Sequence, residues 1–167
     1  MADVYAVFGT LIALAIAYPG LLAAWRMIFP VLVQRSQKRI EEFPWGALGL
    51  GVGIGIPVIL AVVFLISIPA PVLRFLGVVL AVFAFSVASM GAAGLAGLMG
   101  SRLNEISGGR YSVPGAQVRG AVALELASVF PLIGWLLVLP VGTFLCLGAG
   151  VHALLSRSSS VAEQSSD

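Results

Sequence analysis

Charge is scarce in this sequence: of 167 residues, only 10% are Asp, Glu, Lys or Arg, against about 25% in ordinary soluble domains. With 60% hydrophobic residues, a chain this short has too little interior to hide its apolar surface from water. The excess must face lipid or protein. There is one cysteine, Cys146, and one histidine, His152. A lone thiol excludes an internal disulfide and CxxC chemistry. A lone imidazole excludes a bis-histidine haem site within the chain and a zinc site of usual composition. No serine or cysteine has a base at a catalytic spacing, so the chain is not expected to be an enzyme. Basic residues are also missing before Arg26, where Asp3 is the only charge. That argues against a cleaved leader, which wants a basic start, although Ala15-Ile16-Ala17 resembles a cleavage pattern.

What is abundant is apolar sequence, with a mean hydropathy of +1.09. A spanning helix needs about 20 apolar residues to cross roughly 30 Å of hydrocarbon. The runs predict an all-α, integral membrane helical bundle of four transmembrane helices, at about 4–33, 46–68, 71–100 and 131–155. Pro131 and Gly134 divide the last apolar stretch, so 118–129 is expected to be a broken, interfacial or re-entrant helix before the last span. The alternative is two shorter spans, which would turn the carboxyl tail inward. Residues 1–155 form one transmembrane domain, and the serine-rich 156–167 is expected to be a flexible polar tail.

Basic residues set the orientation. Arg26, Arg35, Lys38, Arg39, Arg102, Arg110 and Arg119 fall in the first and third connections, while only Arg74 and Arg157 fall on the other side. Connections 34–45 and 101–117 are therefore expected in the cytoplasm and both termini outside it. Arg35, Lys38 and Arg39 form a patch that anionic lipid head groups would suit. A solvated face serving only as a topology signal is the competing reading. Phe43-Pro44-Trp45-Gly46 puts aromatics where the second span enters the bilayer.

Membrane helices approach one another through small residues. Gly49 and Gly53 on the second span, and Gly91, Gly94 and Gly97 at a spacing of three on the third, are the candidate packing stripes. Gly49-Leu50-Gly51-Val52-Gly53 lacks the preceding strand and the Lys of a phosphate loop. Glu125 is the only acidic residue inside an apolar stretch, and such groups mark proton or ion paths by default. It lies about 10 Å along its helix from Val118, near enough to the interface for an ion pair instead. His152 is the candidate ligand for a haem or pigment, against an interfacial polar residue.

From Pro30 onward the pattern resembles the membrane portion attached to bactofilin-like, polymer-forming bacterial proteins. The matching motifs are a basic stretch followed by Pro44-Trp45-Gly46-Ala47-Leu48-Gly49-Leu50-Gly51, an apolar run closed by Ile68-Pro69, and a Gly/Ala-rich span ending at Gly100. Gly120 then leads to Phe130-Pro131-Leu132-Ile133-Gly134-Trp135, and Leu147-Gly148-Ala149-Gly150 follows. These cover about three quarters of the chain. Two features depart from the pattern. The soluble β domain that precedes the membrane part in such proteins is replaced by one more hydrophobic helix, and the usual Ile-Gly-Ile-Pro hairpin becomes Ser67-Ile68-Pro69-Ala70-Pro71. Polymer-forming activity is therefore not carried over. The resemblance implies a multi-pass protein of the bacterial cytoplasmic (inner) membrane, with no catalytic residues to transfer.

The functional expectation is a non-catalytic accessory or scaffold subunit of a larger bacterial membrane complex, respiratory or photosynthetic. Its partners would be membrane lipids and other membrane subunits rather than nucleic acid, and it would carry no cofactor beyond a bound lipid or pigment. The alternatives are a small oligomeric channel or transporter using Glu125, and a pigment- or haem-binding subunit using His152.

Overall fold

The computed structural model describes residues 2–130, 132 and 134–164, and side chains from Tyr5 to Ser156 apart from several in the first helix. Pro131 and the last residues of the polar tail, 165–167, lie outside the described residues. The order is α1 (Ala2–Ile28), α2 (Pro30–Glu42), α3 (Pro44–Ser67), α4 (Pro71–Ile106), α5 (Val113–Val129), a π-helical turn (Gly134–Val138) and α6 (Leu139–Gln164), with no strand among the described residues. By length and composition three helices can cross a membrane: Pro44–Ser67, Pro71–Ile106 and Gly134–Ser156. A fourth span exists if the bent pair of α1 and α2 is taken as one.

Proline punctuates the chain. Pro30, Pro44 and Pro71 each open a helix at its first turn, where the missing N–H would have been unsatisfied anyway. The residue before a proline is driven out of the α region. Phe29 (φ −127°, ψ 60°) and Phe43 (φ −138°, ψ 66°) are each a one-residue break. Hydrogen bonding passes through both: Phe29 N donates to the Trp25 carbonyl at 2.9 Å, and Phe43 N to the Arg39 carbonyl at 3.0 Å. At Phe29 the axis turns by 110° between Ile16–Ile28 and α2. The first span expected at 4–33 is therefore not one straight helix, because Pro30 breaks it.

The other connections are short. Arg74 Nε donates to the Ile68 carbonyl at 3.1 Å, helping to close the α3–α4 turn. Gly108 and Gly109 take φ of 73° and 74° after α4, a left-handed conformation that glycine adopts without steric cost. The amide of Gly109 and that of Tyr111 both donate to Asn104, to its carbonyl and its side chain. Ser112 caps α5 by accepting from Gly115 N, so α5 starts five residues before the expected Val118. Pro140, which cannot donate to the preceding turn, stands two positions after the end of the π-helical turn.

Helix α4 is the hub. Its 36 residues extend about 54 Å, well beyond roughly 30 Å of hydrocarbon, and its burial is one-sided along its length. Only Gly77 is buried in the first half, whereas ten residues between Val87 and Gly100 are. Glycines spaced by three fall about 60° short of a full turn at each step, so they walk around the helix and meet different neighbours. Gly91 abuts the carbonyl of Cys146 on α6, Gly94 abuts Ser36 on α2, and Gly100 abuts the carbonyl of Ala116 on α5. The α5 contact is reciprocal, since Gly120 lies against the Ala96 carbonyl and Gly100.

Helix α3 docks on α6 in the same manner, but through a different pair of glycines from the expected one. Nothing lies within 4 Å of where a Cβ would stand on Gly49 or Gly53. The contact belongs to Gly51 and Gly55, about 200° around the helix. A Cβ on Gly51 would stand 2.6 Å from the Phe144 carbonyl carbon, and one on Gly148 would stand 2.6 Å from Gly51 N. Because glycine recurs at every second position here, both pairs have a four-residue spacing, and only the partner helix distinguishes them.

Thermal unfolding in detergent micelles should rank the glycines accordingly. Gly51→Val and Gly148→Val are expected to lower stability by about 1–3 kcal/mol through overpacking. Gly49→Ala, on an open helical face, should leave it unchanged or raise it by up to about 1 kcal/mol. Equal losses at Gly49 and Gly51 would contradict this packing.

Candidate functional site

Two polar clusters flank the buried stripe of α2. Leu32, Val33, Ser36 and Ile40 form that stripe and face the bundle. Gln37 lies to one side of it, and Arg35 and Arg39 lie to the other, by helical geometry.

On the Gln37 side, four helices meet at Gly97. Arg26, in the last turn of α1, donates from Nη1 to Gln117 Oε1 at 2.6 Å. Gln117 lies on α5, is 2% exposed, and donates from Nε2 to the Ala93 carbonyl at 2.9 Å. A Cβ on Gly97 would stand 2.7 Å from Gln37 Oε1, 2.9 Å from Arg26 Nη1 and 3.0 Å from Gln117 Oε1. Gly97 therefore clears room for a polar junction rather than for an apolar helix contact. The guanidinium of Arg26 is held by a charge-assisted bond to a neutral amide, which ties the corner of α1 to α5 and α4. Gln117 gave no signal in the sequence, since its partners lie 24 and 91 positions away.

On the other side, the basic patch splits. Lys38 is exposed and pairs with Glu42 at 3.7 Å, while Glu41 pairs with Arg102 at 3.1 Å. Arg35 and Arg39 are half-buried, and among the described residues neither has a carboxylate in ion-pair range. Arg39 lies over the Phe43 ring at 5.2 Å and stands beside Gly46 at the start of α3. Buried Nη1 of Arg35 and buried Nε of Arg39 have no hydrogen-bond partner. His152 joins this side: Ile40 packs with Ala149, three residues from His152 on the same face of α6. Its Nδ1 is likewise buried without a partner. The structure thus brings Arg35, Arg39 and His152 to one region and sends Lys38 away from it.

Glu125 and Cys146 lie elsewhere. Cys146 is buried and lines a cavity of about 100 Å³ with Tyr18, Ser89, Leu124, Ser128 and Thr143. The serine and threonine hydroxyls there are turned back onto their own helices: Ser89 to Ser86 and Ser128 to Leu124 at 2.8 Å, and Thr143 to Leu139 at 2.6 Å. Glu125 is next to Leu124 in sequence, is half-buried, and does not line the cavity. Among the described residues no group of three His, Cys, Asp or Glu side chains is placed to hold a metal ion.

Removing the amide at the junction should be costly. Gln117→Leu leaves the Arg26 guanidinium and the Ala93 carbonyl without their partner, and is expected to destabilise the protein by about 1–3 kcal/mol in thermal unfolding. Glu125→Gln should change stability by less than about 0.5 kcal/mol in the same assay, and a larger loss would reveal an ion pair at Glu125. Neither a protein-family model, nor a curated protein sequence, nor a solved structure matches the chain.

Proposed function

We propose that the protein is a non-catalytic accessory or scaffold subunit of a larger bacterial membrane complex, acting through helix packing and lipid contacts. The observation that carries this reading is the imbalance of packing between the two ends of the bundle. In the most apolar windows of α3 and of α4, only 11% and 17% of residues are buried within the chain. Ile59, Leu60, Val63 and Phe64 of α3 and Phe75, Val78, Phe83 and Phe85 of α4 are all exposed. Apolar surface of this extent must be covered by lipid or by other helices, and a hairpin that buries so little against its own chain is suited to filling or bracing a neighbour. Respiratory and photosynthetic complexes are the candidate hosts.

In this reading α3 and α4 cross the cytoplasmic membrane as a hairpin, and α5 and α6 act as two further spans. These return the chain to the side of α2, where Ala149 packs with Ile40. This favours the alternative in which the carboxyl tail turns inward, rather than the one with both termini outside the cytoplasm. The Arg102–Glu41 pair at 3.1 Å brings the ends of α2 and α4 together. It supports a shared side for the two basic connections, which the positive-inside rule assigns to the cytoplasm. A reporter fused at the carboxyl end, active only outside the cytoplasm, should be inactive while its cytoplasmic counterpart is active; the reverse result would put the carboxyl end outside the cytoplasm.

The test of the subunit reading is isolation by a carboxyl-terminal tag after gentle solubilisation of native membranes. The expected result is stoichiometric co-migration with larger membrane proteins. A stable monomer without partners would overturn it. A lone homo-oligomer that supports an ion flux in liposomes, abolished in Glu125→Gln, would establish the transport alternative instead.

A further inference from the structure

Four buried side-chain nitrogens in the described structure lack a hydrogen-bond partner, and three of them belong to Arg35, Arg39 and His152. Native proteins seldom leave such atoms unsatisfied, and a cluster of them calls for a bound group. Arg35 and Arg39 are four residues apart on one face of α2, so their side chains are neighbours. The carboxylates that could have neutralised them are engaged elsewhere, Glu41 with Arg102 and Glu42 with Lys38. The guanidinium of Arg39 is held in place from two sides, by the Phe43 ring and by the close passage of Gly46. Next to it α3 begins with no side-chain cap, so the amides of Trp45 and Gly46 have no partner within the helix and its end carries partial positive charge. Two uncompensated, partly desolvated guanidinium groups beside an imidazole lack one thing, an oxyanion.

We propose that Arg35, Arg39 and His152 form a binding site for the phosphate group of an anionic membrane lipid. Arginine is suited to this role, because its planar fork meets two phosphate oxygens at once. The lipid is favoured over a soluble anion by where the site lies. Arg39 is one turn from Phe43 and close to Trp45, which are 58% and 82% exposed at the mouth of the apolar α3, the position of an interfacial aromatic belt. A head group at that level leaves its acyl chains along the exposed flank of α3. The imidazole of His152 supplies a further hydrogen bond. The site is independent of whether the protein serves as a subunit, since it needs only this chain and a membrane.

The experiment uses the full chain in nanodiscs of phosphatidylcholine doped with phosphatidylglycerol, with lipid retention read by native mass spectrometry after release. Wild type should retain phosphatidylglycerol over phosphatidylcholine. Arg35→Gln and Arg39→Gln should each weaken that preference by about tenfold, while Lys38→Gln, at the exposed Lys38–Glu42 pair, should stay within about twofold. Arg39→Lys keeps the charge and loses the fork, and should fall between. Helicity and thermal unfolding in pure phosphatidylcholine, measured on each variant, separate loss of the site from loss of the fold. Equal weakening by Lys38→Gln would overturn the proposal, as it would reflect diffuse surface charge. So would a wild type that holds both lipids alike. Displacement of the bound lipid by millimolar inorganic phosphate would overturn the lipid assignment and make the site one for a soluble phosphate.

Discussion

The closeness with which backbones meet along Gly91–Gly100 of α4 is the constraint on which the rest of the structure depends. In a membrane, helices gain little from leaving lipid for one another, so association rests on van der Waals contact and polar bonds at short range. A carbonyl of α6, a serine of α2 and a carbonyl of α5 each press where a side chain on α4 would otherwise stand. The three-residue spacing turns successive glycines to different neighbours, so one short segment organises α2, α5 and α6 at once. Gly97 completes the series differently, by making space for the Arg26–Gln117 junction.

That packing has a consequence for α2. A 13-residue amphipathic helix would ordinarily lie on a membrane surface. Here Pro30 and Pro44 break the chain on either side of it, and Gly94 lets it press Ser36 and Val33 inward against α4. Once so placed, its polar residues cannot all reach water. Gln37 is turned to the junction on one side, and Arg35 and Arg39 to α3 and α6 on the other. Lys38, on the outward face, behaves as an ordinary surface lysine with a weak neighbouring pair. One helix thus carries a structural polar contact, a desolvated cationic pair and a solvated charge within five positions.

The far half of the α3–α4 hairpin obeys different physics. Gly77 is its only buried α4 residue before Val87, and bulky side chains project on several faces. An apolar groove of about 240 Å³ runs between α3, α4 and α6, lined by residues such as Val58, Val62, Ala81 and Ala84. The bundle is therefore tight where small residues dominate and open where Phe, Ile and Val do, a division that follows from side-chain size alone.

Much of this was legible in the residues. Runs of about 20 apolar residues cannot be solvated, so the helical membrane class, the bounds of α3 and the start of α4 at Pro71 follow from composition and proline. The glycine spacing marked α4 as a packing helix. What the residues left undecided were questions of facing. Gly49 and Gly53 match Gly51 and Gly55 in spacing, and only Phe144 and Gly148 of α6 select between the pairs. Arg35, Lys38 and Arg39 look alike in a line, and only the tilt of α2 against the bundle separates the desolvated pair from the exposed lysine. Gln117 and His152 acquire their surroundings from residues far away in the chain. The sequence determined which segments leave water, because hydropathy is a local sum over side chains. Tertiary structure alone decided which faces and which polar groups meet, because that depends on the rotation of one helix against another.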